Sequence, residues 1–121
     1  MTIRSLFIAV AIVTLAGCAN DPAPIAQLKL TDQAVEQAKA VGATEDIPEM
    51  RMAQSKLIQA HIDMGKNAFK AARMQAEQSE LDARLAEAHV LNEKSAEQLA
   101  QLNTRLNRLY KQVGAAERTA Q

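Results

Sequence analysis

The chain has little of what most chemistry needs. It has no tryptophan, and Phe7, Phe69 and Tyr110 make up its entire 2% aromatic content. Platforms that stack single-stranded nucleic acid, and deep ligand pockets, are built from aromatics, so neither is expected. Lys and Arg number 14 and Asp and Glu 14, so the net charge is zero and no overall basic field draws in nucleic acid. The single cysteine, Cys18, excludes an internal disulfide or a redox pair. His61 and His89 are far apart and neither lies in a Glu-x-x-His pair; Asp63 and Glu93 are near them in sequence, but two residues make no metal site. There is no Gly-rich phosphate loop and no serine elbow. Glu93 and Glu97 form a carboxylate pair that falls on a solvated helix face. The expectation is no catalytic residue, no metal, no cofactor and no small-molecule substrate, and hence no enzyme.

What is present is alanine. The chain has 24 of them, with much Gln, Glu, Lys and Leu and only four glycines and three prolines. Such a composition favours long helices with thin, Ala-lined contacts. No strand-like alternation of β-branched residues follows Cys18. The fold class expected is all-α.

The first residues read differently. One positive charge at Arg4 precedes ten residues, Leu6 to Leu15, that are apolar except for Thr14. Ten helical residues span only ~15 Å, about half a bilayer's hydrocarbon core. A basic start, a short apolar run and small residues after it make a secretory signal. Leu15-Ala16-Gly17-Cys18 resembles the lipobox of bacterial lipoproteins at all four positions. The resemblance implies cleavage before Cys18, a thioether from its sulfur to diacylglycerol, acylation of the new amine, and so a membrane partner through the N-terminal lipid. Residues 1–17 are then signal peptide. Known lipoprotein sorting reads the position after the cysteine, and Ala19 there points to the outer membrane, facing the periplasm. Residues 18–24, with Pro22 and Pro24, form a short tether.

Helix periodicity then takes over. A first helix starts at Ile25, with Pro24 at its first position, or at Thr31 as cap, and runs to Val41 with Leu28, Val35, Ala38 and Val41 as its stripe and Gly42 just past its end. Asp46, Pro48 and Glu49 predict a capped start for a second helix, whose stripe is Met50, Ala53, Leu57, Ala60 and Met64. Gly65 ends it, and Asn67 is placed to cap the next. From Lys66 to Val113 there is neither Gly nor Pro, so a long third helix follows, supported by Glu80/Arg84 and Arg84/Glu87. It carries two seams at 3-4 spacing. One is Phe69, Ala72, Ala76, Ser79, Ala83, Ala86 and Val90; the other is Leu81, Leu85, Ala88, Asn92, Ser95, Leu99, Leu102, Leu106, Leu109 and Val113. The first two helices are long enough to cover only the first seam. As a heptad, Leu99, Leu106 and Val113 fall at a and Leu102 and Leu109 at d, with no charge code beside them. Either a protein partner or a second copy covers this seam, or it folds back onto the first helix, or it frays. Charge is uneven along the helix: residues 77–97 hold six acids against two bases, and residues 105–121 hold four bases against one acid. The basic end either complements the helix dipole, the favoured reading, or touches an anionic surface such as lipid headgroups or peptidoglycan carboxylates.

The segment from Ala60 to Glu77 looks like one tetratricopeptide-type helical hairpin. The lipobox, the proline tether, the Val-Gly-Ala helix end, the Pro-Glu-Met helix start and this hairpin together are similar to a family of small, Ala-rich Gram-negative envelope lipoproteins built around a domain of unknown function. The similarity covers most of residues 18–95. The expected architecture is a three-helix core over residues 25–90 and an extended C-terminal helix, coiled-coil-like, over residues 91–121. The expected function is that of a structural or interaction protein, a scaffold or adaptor, of the cell envelope. A second reading is a chaperone-like accessory module that takes a peptide or lipid in an Ala-lined groove.

Overall fold

The computed structural model describes residues 21–119. Leu15, Ala16, Gly17 and Cys18 lie outside the described residues, and so does the start of the tether. Three helices follow in order: α1 (Ile25–Ala40), α2 (Pro48–Gly65) and α3 (Phe69–Thr119). Among the described residues there is no strand, and the chain is all-α as its composition requires.

α1 begins immediately after Pro24, which occupies the N-cap position, one residue before the helix rather than in its first turn. Thr31 is no cap. It is fully buried within α1, and its Oγ1 lies 2.9 Å from the Gln27 carbonyl and 3.0 Å from that of Ala76 on α3. A hydroxyl that returns its hydrogen to the preceding turn fits inside a helix, so it need not start one. The end of α1 is as expected. Gly42 takes φ +106°. Its N–H donates to Lys39 O and that of Ala43 to Ala38 O, both at 2.9 Å, the double closure of a Schellman motif.

At α2 the capping expectation is corrected by one residue. Proline pushes the residue before it to extended backbone, so Ile47 (φ −78°, ψ 119°) becomes the N-cap and Pro48 the first helical residue. Asp46 is left one position too early, and its carboxylate accepts from Thr44 Oγ1 at 3.3 Å. No side chain caps α2. Its far end closes with a second Schellman motif: Asn67 N–H to Met64 O at 3.1 Å and Ala68 N–H to Asp63 O at 2.9 Å. The left-handed residue here is Asn67, at φ 58°, so Asn67 ends α2 and does not cap α3. Gly65 is simply the last helical residue.

The predicted core stripe of α3 is the core. Ala72, Ala76, Ser79, Ala83 and Ala86 are fully buried, Val90 is buried and Phe69 half-buried. They face Leu28, Val35 and Ala38 of α1 and Met50, Ala53 and Ala60 of α2, all buried. Alanines at the crossings let the helices approach closely. Ser79 Oγ uses that closeness to donate to Ala53 O at 2.6 Å. The Ala-lined face of α3 is therefore covered by α1 and α2.

Candidate functional site

α3 is one unbroken helix of 51 residues, ~77 Å long. Its inward face is used up by Val90. Just beyond, Lys94 Nζ donates to Val41 O at 2.5 Å and satisfies the open C-terminal end of α1. From residue 91 to residue 113 every side chain is exposed. Thr119 lies 29 residues past Val90, so the helix runs ~44 Å beyond the core. Gly114 does not interrupt it.

The second seam lies on the face turned away from the core. At 100° per residue, Leu81 and Leu85 fall about 160° around the axis from Ala83. Leu99, Leu102, Leu106, Leu109 and Val113 fall roughly 100–180° from Val90. α1 and α2 sit on the opposite side, and α1 ends level with Val90 and Lys94. The fold-back of the seam onto α1, open in the sequence, is thereby excluded. Leu99 is 62% exposed, Leu102 53%, Leu106 48%, Leu109 56% and Val113 58%. These five belong to one continuous strip with Leu81 and Leu85, which are also exposed.

Sequence reasoning missed two parts of this surface. Met74, seven residues before Leu81 and half-exposed, continues the strip upstream; its heptad spacing was the available signal. Leu91 flanks it, exposed, off the 3-4 register and so without a periodic signature.

The polar residues tie the helices together. Lys56 and Asp82 pair at 2.6 Å between α2 and α3, both largely covered. Glu80 accepts from Gln27 of α1 at 2.7 Å and pairs with Arg84 at 2.6 Å, as its spacing predicts. These hydrogen bonds, Arg84's first and then Gln27's, hold the Glu80 carboxyl below its usual range. Glu87 accepts from Gln37 on α1 at 2.7 Å. His61 Nε2 sits 3.2 Å from Asp32, not beside Asp63, and His89 Nε2 3.3 Å from Glu93. Among the described residues no three His, Cys, Asp or Glu side chains group to hold a metal ion. None of the described helices is long and apolar enough to cross a membrane. Arg73 also donates to Pro22 O at 3.2 Å, so the end of the tether lies on the start of α3.

Comparison with known proteins places this geometry. A family model described as a domain of unknown function, DUF4398, matches residues 26–102. A crystal structure of a DUF4398 family protein from Pseudomonas aeruginosa is 55% identical over 78% of this chain and 99% of its own, with a TM-score of 0.76. No curated protein matches the chain.

Proposed function

The chain belongs to the DUF4398 family, and we propose that it is a non-enzymatic lipoprotein that acts as a structural or interaction protein of the cell envelope, a scaffold or adaptor. One observation carries the reading: a leucine strip on the outward face of a single long helix, left exposed among the described residues. At about 1.5–3 kcal/mol for each fully buried leucine, covering the strip is worth several kcal/mol to any helix that fits it. In the same reading Leu15-Ala16-Gly17-Cys18 directs lipidation of Cys18, and Ala19 directs the chain to the outer membrane, facing the periplasm. Pro22 lies against Arg73 at the start of α3, so the anchor would lie at one end of the molecule and the leucine strip towards the other. The scarcity of aromatics fits a role in contact and spacing.

The anchor is tested by labelling cells with palmitate. The natural chain takes up label and a Cys18→Ser chain does not; label on Cys18→Ser contradicts the anchor. The interaction role is tested by affinity isolation from envelope extracts with Leu102 and Leu106 changed to Glu. Both leucines are exposed, so the change leaves the fold intact and removes every specific partner, a second copy included. A set of partners unaffected by the change contradicts the role of the strip.

A further inference from the structure

The strip has a layout that selects its own occupant. From Leu81 to Val113 its positions recur at 3-4 spacing over ~48 Å. The large side chains are uneven along it. Leu81 and Leu85 stand at one end and four leucines and Val113 at the other, with Ala88, Asn92 and Ser95 between. Charge is uneven in the same way, net −4 over residues 77–97 and net +3 over residues 105–118. Pairing two copies in parallel and in register would set Ala88, Asn92 and Ser95 against themselves, three consecutive weak layers. It would also place like charge beside like.

Antiparallel pairing about a two-fold axis at Glu97 reverses both faults. Leu99, Leu102 and Leu106 of one copy then meet Ser95, Asn92 and Ala88 of the other, large against small, and Leu109 meets Leu85. Val113 meets Leu81, and the acidic stretch of each copy lies along the basic stretch of the other. Leu81, Leu85 and Ala88 are exposed on the face opposite α1 and α2, so the second helix has room along the core as well as beyond it. Such an interface is self-complementary and closes at two copies. We propose that this chain forms an antiparallel dimer through the outward face of α3, centred near Glu97. The proposal rests on the docking role given to the strip above and names a second copy as what docks there.

The test uses the full-length chain in bacterial cells, with one added cysteine and a short bis-maleimide crosslinker. Ala96 and Gln98 flank the axis, so in the antiparallel pair each lies beside its own counterpart across the interface. Ala88 lies on the strip itself, nine residues from the axis, so in the antiparallel pair its counterpart is ~27 Å away along the helix and it meets its counterpart only in a parallel pair. A chain without an added cysteine sets the background from Cys18. The expected result is a strong dimer from Ala96→Cys and Gln98→Cys and a weak one from Ala88→Cys. Changing Leu102 and Leu106 to Glu is expected to cut the Ala96→Cys dimer several-fold. A strong dimer from Ala88→Cys alone overturns the antiparallel arrangement, and an unchanged yield after the leucine changes overturns the strip as its interface. No dimer at any position overturns self-pairing and leaves the strip to a different protein. Palmitate labelling of the same cells separates a failure of pairing from a failure of the anchor.

Discussion

At the scale of single residues, three chain reversals and caps set the register of the fold, and their costs differ. Gly42 is at φ +106°, where a Cβ would meet only Lys94 Nζ at 3.6 Å and Val90 Cγ1 at 3.9 Å. Space is adequate, so Gly42→Ala costs conformational strain alone, about 1–2 kcal/mol. Gly65 has helical backbone and open space, so Gly65→Ala should stabilise by about 0.4–1 kcal/mol. Denaturant unfolding of the two variants should shift in opposite directions. A shared direction would mean that the left-handed position is misplaced. Glu80 gives a pH prediction. Its folded carboxyl is held below the ordinary value of 4.5, so it contributes stability that is present above that value and lost as pH falls through the folded one. Natural chain and Glu80→Gln should differ in stability near neutral pH and converge in acid. A difference that persists at low pH would contradict the role of its hydrogen bonds to Arg84 and Gln27.

At the scale of elements, α3 is two helices in one. Up to Val90 it is held by packing on α1 and α2; from residue 95 to residue 113 its side chains are exposed among the described residues. Isolated helices of this length are marginal in water, so amide exchange in a dilute, unassociated chain should be slow across residues 72–90 and much faster across residues 95–113. Equal protection along the whole helix in a monomer would contradict this division. The inward face is tight because alanine makes it so. Ala83→Leu, at a fully buried crossing, should cost at least 1–3 kcal/mol by overpacking. These features explain what could be read from the sequence. The alternation of Ala72, Ala76, Ala83 and Ala86 at 3-4 spacing has one structural meaning, and the buried face of α3 follows it residue for residue. The helix starts were less legible. Thr31 and Asp46 are good capping residues, but their hydroxyl and carboxylate are bound elsewhere, one within α1 and one in the preceding turn. Asn67 was read as a cap because asparagine serves equally in left-handed turns, and only the backbone shows which role it plays.

At the scale of the whole molecule, the sequence marked the candidate site without saying what meets it. The five residues from Leu99 to Val113 were visible as a seam, and the helix count showed that the chain could not cover them. That the seam faces away from the core depends on its phase relative to Ala83 and Val90, which becomes definite only once α3 is continuous. The account makes this outward face the working surface of the protein. The measurement that tests it most directly is in-cell photocrosslinking with a reactive residue placed in turn at each position from 99 to 113. Crosslinks are predicted at Leu99, Leu102, Leu106, Leu109 and Val113 and their flanks, and none at Thr104 and Lys111 on the other side of the helix. Crosslinks spread evenly around the helix, or absent from it, would contradict the claim.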